Sequence, residues 1–215
     1  MIIQILTMKI LIADDHTLVR KALKFILQEA FVNVQVEEAS DGSELLMKAT
    51  KNKWDIIISD ISFPGLSGLD ILKQLKIHVP TIPVLMLTMY TAEEYAIRCI
   101  RSGAAGFLSK DNISDELIKA INQILSGKKY INSEVAMVLA TAYEENVKTA
   151  PHESLTDREF TIFKQLLTGK NMQIIGDELC ISVTTVRAHK VHILRKMHLS
   201  GDAEMIKYGL QNQII

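Results

Sequence analysis

Apolar residues in the first part of the chain come in short runs: Lys9-Ile-Leu-Ile-Ala13, Asn33-Val-Gln-Val-Glu37, Asp55-Ile-Ile-Ile-Ser59, Val84-Leu-Met-Leu-Thr88 and Gly106-Phe-Leu-Ser109. Between the runs the apolar positions recur at helical spacing: Leu18, Ala22, Phe25 and Ile26; Leu45, Leu46 and Ala49; Ile71, Leu72 and Leu75; Ala96, Ile97 and Ile100; Leu117, Ile118, Ile121, Ile124 and Leu125. Continuous apolar runs predict strands buried on both faces, and the patterns between them predict amphipathic helices that cover those faces. The alternation predicts an α/β domain, a five-stranded doubly wound parallel sheet ending near Gly127. Pro64-Gly65, Gly68, Gly103 and Gly106 fall between elements, as breakers should.

The pattern then changes. After Gly127-Lys-Lys-Tyr130, the positions Val135, Val138, Leu139 and Ala142 predict one more helix, which becomes polar at Glu144-Glu145-Asn146 and breaks at Pro151. A helix plus a loose linker is expected there. Thr156-Asp-Arg-Glu159 is a capping box, in which hydroxyl and carboxylate satisfy free amides at a helix start. Phe160, Phe163 and Leu167 form one apolar stripe, closed by Gly169, and Met172, Ile175 and Leu179 form another. Cys180-Ile181 makes a turn, and Ser182 caps a helix expected to run to about Met197. On that helix Val186, Ile193, Leu194 and Met197 share one side, and Arg187, Ala188, Val191 and Arg195 share another. This second region reads as a small all-α helix-turn-helix domain.

Composition narrows the class. With 215 residues, 48% hydrophobic and 23% charged, the chain suits one large or two small soluble domains. No apolar stretch reaches membrane-spanning length, and Met1 to Leu6 lacks a basic flank and a cleavage site. A cytoplasmic protein without membrane contact is expected, with Met8 a natural start of the first strand and residues 1–7 an extension. Cys99 and Cys180 lie in separate apolar segments without CxxC spacing, so two buried thiols are expected. Charge is uneven: residues 1–126 carry 13 Lys and Arg against 15 Asp and Glu, whereas residues 154–215 carry 8 against 6. Between Glu178 and Asp202 there is no acid, yet Arg187, Lys190, Arg195 and Lys196 fall there with three histidines. Such a block fits a solvated helix face or a nucleic-acid surface.

Asp14-Asp15, Asp60, Thr88 and Lys110 each sit at the close of an apolar run or just after it. A parallel sheet gathers them at its carboxyl edge, where open α/β sheets bind ligands. By themselves, Asp14 and Asp15 could equally cap the helix beginning near Thr17.

The set Ile10-Leu-Ile-Ala-Asp-Asp-His16, Asp60 with Pro64 and Gly68, Leu87-Thr88 and Gly103-Ala-Ala-Gly-Phe-Leu-Ser-Lys-Asp111 resembles a receiver domain. Leu155-Thr-Asp-Arg-Glu159, Gly169-Lys-Asn171, Ile181-Ser182 and Thr185-Val-Arg-Ala-His189 resemble a LuxR-type helix-turn-helix. In this order they resemble two-component response regulators of the NarL/FixJ subfamily: a flavodoxin-like receiver over 8–127, a linker with a helix over 128–152 and a DNA-binding domain over 153–215. The resemblance implies a phosphoprotein rather than an enzyme, with Asp60 phosphorylated by a sensor histidine kinase. It implies Mg2+ held by Asp14, Asp15, Asp60 and the Ser62 carbonyl, with Thr88 and Lys110 on the phosphoryl oxygens and Thr88 and Phe107 as switch residues. A carboxylate attacking an anionic donor needs that positive charge and in-line positioning, and Mg2+ favours octahedral oxygen ligands.

For the second domain, the resemblance implies double-stranded DNA bound by a homodimer. Arg187, Ala188 and Val191 would face bases, and Ser182, Thr184, His189 and Lys190 would meet the backbone. Lys190 stands where the family often has Val, so its stem is expected along the helix with the ammonium snorkelling outward. The apolar tail at Met205, Ile206 and Leu210 is expected in packing and dimer contacts. The resemblance leaves RNA polymerase open as a further partner. Met89 after Thr88, and Ser62 and Tyr90 two positions beyond Asp60 and Thr88, depart from common receivers and bear on how long the phosphoryl group persists. A phosphorylation-independent regulator with a pseudo-receiver is the competing reading. An Asp-nucleophile phosphatase would carry a second Asp where Ser62 stands and is set aside.

Overall fold

The structure, a computed structural model, describes residues 7–64, 67–144, 150–212 and 214–215. Residues 1–6 of the expected extension, the Gly65 of the Pro64 break and the linker at Glu145-Asn146 lie outside the described residues. The chain divides into two compact units at Thr141/Ala142.

In the first unit β1 (Met8–Ala13), β2 (Val34–Ala39), β3 (Ile56–Asp60), β4 (Val84–Thr88) and β5 (Gly106–Ser109) alternate with α1 (Thr17–Ala30), α2 (Gly42–Lys51), α3 (Gly68–His78), α4 (Ala92–Arg101) and α5 (Ile113–Leu125). The strands form one parallel sheet in the order β2-β1-β3-β4-β5. β2 begins at Val34 because Asn33 turns with φ 62° and cannot continue a strand. Every residue of β3 and β4 is buried. Ile10, Ile12, Ile56, Ile58, Leu85, Leu87 and Leu108 pack with Leu23 and Leu27 of α1 and Leu117, Ile121 and Ile124 of α5. Right-handed crossovers carry α2, α3 and α4 to the opposite face. Each such side chain contributes about 1.5–3 kcal/mol on burial, which fixes the register on which the site depends.

The chain after Gly127 begins attached to the first unit. Tyr130 bridges Gly106 and donates its N–H to Ala105 O at 2.8 Å. Asn132 accepts from the Val135 N–H at 2.9 Å at the start of α6 (Ser133–Glu144) and donates to Glu116 Oε2 at 3.0 Å, while Val135 is buried.

The second unit holds a 3₁₀ turn (Pro151–Ser154), α7 (Asp157–Leu167), α8 (Met172–Leu179), α9 (Val183–Lys196) and α10 (Asp202–Gln211). Thr156 and Glu159 form the expected capping box. Phe160, Phe163, Ile175, Val186, Ile193, Met197 and Met205 are buried, whereas Ile206 and Leu210 of the tail are exposed. Gly176 permits the sharp turn between α8 and α9, because a Cβ there would lie 2.7 Å from Ile181 O. The expectation of two buried thiols is corrected: Cys99 is buried but Cys180 is exposed. Cys180 ends α8 in the left-handed conformation at φ 51°, so its side chain leaves the core with the turn. Among the described residues no helix is long and apolar enough to cross a membrane.

Candidate functional site

Strand register assembles the first site. Ala13 pairs with Ser59, Asp60 with Leu87, and Thr88 with Ser109, so Asp14, Asp60, Thr88 and Lys110 end neighbouring strands at one edge of the sheet. Lys110 Nζ lies 2.6 Å from Asp14 Oδ2 and 2.8 Å from Asp60 Oδ2. Asp14 and Asp60 are nearly inaccessible, and the Lys110 side chain is 7% exposed. Asp60 Oδ1 accepts from the Ile61 N–H at 2.6 Å. Burial pushes the Asp60 carboxyl above its ordinary value, helped by the Asp14 charge, although Lys110 and the Ser62 backbone N–H oppose it. Burial by itself would lower Lys110, but Asp60 and Asp14 overcome it and hold the ammonium above its ordinary value.

The remaining residues fall around this centre. Asp15 and His16 join Asp14 and Asp60 in a cluster whose ligand atoms lie within 4.8 Å of one another. His16 is a neighbour that sequence reasoning missed; its Nδ1 stands 2.8 Å from Asp15 Oδ1 and 3.2 Å from Asp14 Oδ1. Buried Asp14 Oδ2 and Asp15 Oδ1 make no hydrogen bond of good geometry, the first having its ion pair with Lys110 and the second the His16 ring. Buried carboxylate oxygens left this way fit a divalent cation. Thr88 is buried, and its Oγ1 accepts from the Tyr90 N–H at 3.2 Å. Phe107 is buried opposite Met86 of β4, and therefore lies on the same sheet face as Thr88, two pairs along the register. Met89 is 66% exposed, and Tyr90 stacks on Tyr95 with ring centroids 4.6 Å apart.

The second group lies on α9. Ser182 caps the helix, accepting from the Thr185 N–H at 3.0 Å, and Thr184, Arg187, Ala188 and Val191 are exposed. Arg195 is exposed too and continues the Arg187 and Val191 ladder at i+4, on the helix side read from the sequence. Neither arginine has a hydrogen bond or ion pair among the described residues. His189 is half-buried, and burial, aided by nearby Arg158, pushes its imidazole below the ordinary value. Lys190 departs from the expected snorkel: its side chain is 16% exposed, and its ammonium binds both carboxylate oxygens of Asp202, at 2.5 and 2.6 Å. The buried row Val186, Ile193 and Met197 leaves a gap at position 190, and Asp202 closes the ammonium in. Lys196 Nζ reaches Glu159 Oε2 of the capping box at 2.6 Å.

Residues 10–122 match the response regulator receiver domain, and residues 153–208 match the bacterial regulatory proteins of the luxR family. The chain belongs to the response regulators of the NarL/FixJ subfamily. It joins a receiver domain to a LuxR-type DNA-binding domain. The oxygen regulatory protein NreC of Staphylococcus carnosus is 34% identical over 215 residues, covering 97% of this chain and 99% of NreC. The response regulator UvrY of Escherichia coli is 32% identical over 208 residues, covering 94% and 95%. Among solved structures, RcsB of Salmonella typhimurium shares the fold with a TM-score of 0.68 at 22% identity over 94% of this chain and 96% of its own. A LuxR-family two-component response regulator from Aurantimonas shares it with a TM-score of 0.59 at 26% identity, over 66% of this chain and the whole of its own. RcsB has also been solved in complex with DNA, and as two dimers bound to two parallel DNAs.

Proposed function

We propose that this response regulator is switched by phosphorylation of Asp60 from a sensor histidine kinase and then binds DNA as a dimer to regulate transcription. The observation that carries the reading is the arrangement of two buried carboxylates, Asp14 and Asp60, around one buried ammonium at the carboxyl edge of the sheet. A carboxylate oxygen of Asp60 attacks phosphorus as the P–N bond of the donor phosphohistidine breaks, and an acyl phosphate forms. Lys110 is within reach of a phosphoryl oxygen once Asp60 is modified, and the Thr88 hydroxyl supplies a second donor when it exchanges its present partner. Asp14, Asp15 and Asp60, with the Ser62 carbonyl, would hold Mg2+, which would supply the positive charge that shields attack by one anion on another.

Adding a dianion at Asp60 biases a two-state equilibrium. Thr88 and Phe107 share a sheet face, so movement of the hydroxyl toward the phosphoryl group opens space beside the ring. On α9, Arg187, Ala188 and Val191 face bases, with Arg187 suited to guanine and Val191 to a thymine methyl. Ser182, Thr184 and His189 meet the backbone. Two-fold operators match a dimer of such short modules. A phosphorylation-independent regulator is not favoured, since the acidic set and Lys110 are intact and mutually engaged. Chromatin immunoprecipitation of wild type beside Asp60→Asn tests the reading: specific promoters should be recovered with wild type and depleted in the variant. Equal recovery would remove phosphorylation from the account.

A further inference from the structure

We propose that Asp202 acts as an internal stand-in for a DNA phosphate, holding Lys190 of α9 out of the nucleic-acid interface and so setting how many cations this domain offers to DNA. The inference rests on the reading of α9 as the DNA-facing helix. Four Lys and Arg fall between Glu178 and Asp202 with no acid among them, which reads as an unusually cationic helix. The structure divides that charge in two. Lys196 is held by Glu159 at 2.6 Å and Lys190 by Asp202 at 2.5 and 2.6 Å, whereas Arg187 and Arg195 have no partner among the described residues.

Geometry makes the Lys190 pairing more than a surface ion pair. Lys190 occupies the same helix row as Val186, Ile193 and Met197, turned away from the exposed row of Arg187, Val191 and Arg195. Its stem is packed while its partner carboxylate is largely exposed, so the choice left to the ammonium is its anion, and Asp202 meets it at the first turn of α10 with both oxygens. A carboxylate engaged this way offers a cation the same two-oxygen ligand as a phosphodiester. It is tethered in the same domain, so a phosphate must compete against a high local concentration. Asp202 is thus a positioning residue for Lys190. It also ties α9 to α10, and its own side chain stays 59% exposed at the helix end.

The test is the salt dependence of binding by the full chain to a fluorescein-labelled mixed-sequence duplex, followed by anisotropy. Each phosphate neutralised adds about 0.9 to the slope of log K against log salt. Asp202→Asn should therefore steepen the slope by about 0.9 per bound copy, an extra three- to four-fold loss of affinity between about 50 and 200 mM KCl. Lys190→Gln in the wild-type background should leave the slope unchanged, and the double variant should return to the wild-type slope. A purely structural role for the pair would shift melting temperatures and leave all slopes equal, which would overturn the inference. So would a flatter slope in Lys190→Gln, because Lys190 would then be leaving Asp202 for phosphate. If Asp202→Asn folds poorly, Asp202→Ser takes its place in the same comparison, with the same steeper slope expected. Absence of salt-dependent binding by the wild-type chain would overturn the DNA-facing reading of α9 itself, and the inference with it.

Discussion

The Lys110 ammonium lies 2.8 Å from the Asp60 carboxylate across a separation of 50 residues. It also meets Asp14 at 2.6 Å, so one cation holds two buried anions that would otherwise repel each other. Without a cation there, the two carboxylates would lie buried and unpaired.

Lys110→Met is therefore expected to destabilise the receiver unit by about 3–5 kcal/mol, the usual consequence of leaving buried charge unpaired. A divalent cation can replace part of the missing charge. Urea unfolding with and without Mg2+ should show a larger Mg2+ stabilisation in the variant than in wild type. Equal Mg2+ effects in the two proteins would mean that Lys110 and the metal do not serve the same carboxylates.

Gly68 stands where a side chain would strike the acceptor loop. A Cβ there would lie 2.5 Å from Asp60 O and 2.6 Å from both Ile61 Cα and Ile61 O. All three are backbone atoms, so the strand end must shift. Gly68→Ala is expected to cost about 1–3 kcal/mol by overpacking and to slow phosphoryl uptake, whereas Gly127→Ala, strained by its φ of 82° but with nothing within 4 Å, should cost stability and leave uptake unchanged. The comparison is made by thermal melts and by phosphorylation time courses on both variants.

Glu159 sets a pH dependence in the output unit. Burial would raise its carboxyl, but Lys196 and the Thr156 cap outweigh burial and hold it below the ordinary carboxylate value. A depressed acid contributes stability that is present above its unfolded value, near 4.5, and lost as pH falls through the folded value. Glu159→Gln should melt lower than wild type at neutral pH, with the gap closing under acid. A gap that stayed constant down to pH values below the carboxylate range would show that charge is not the source.

Arg187→Ala should lower affinity by about 1–3 kcal/mol at one base position and relax discrimination there. Arg195→Ala, further along the same face, should weaken binding evenly across sequences. Competition with single-substitution duplexes distinguishes the two patterns.

Most of the fold was legible because it is written in local periodicity. Four of the five strands announced themselves as continuous apolar runs and β2 as the shorter Val34-Gln-Val36 alternation, and Thr156, Glu159 and Ser182 marked helix starts through local hydrogen bonds. The acceptor cluster was legible because parallel register converts four strand-end positions into neighbours. What stayed hidden are pairings that only tertiary packing creates. Lys196 with Glu159 spans 37 residues, and neither carries a mark of the other. Lys190 read as a free cation because its helix row was clear but the carboxylate opposite it was not. Cys180 read as buried because apolar neighbours outweighed its place in a left-handed turn. Tyr130 read as linker because its bridge to Gly106 depends on the finished sheet.

The central claim is that Asp60 accepts a phosphoryl group in a metal-assisted site. Intact mass spectrometry after incubation with acetyl phosphate and Mg2+, wild type beside Asp60→Asn, addresses it most directly. A single phosphoryl adduct is expected on the wild type, lost on chelation of Mg2+ during the incubation and absent from the variant. An adduct of equal extent on Asp60→Asn, or none on a folded wild-type protein that binds Mg2+, would contradict the account.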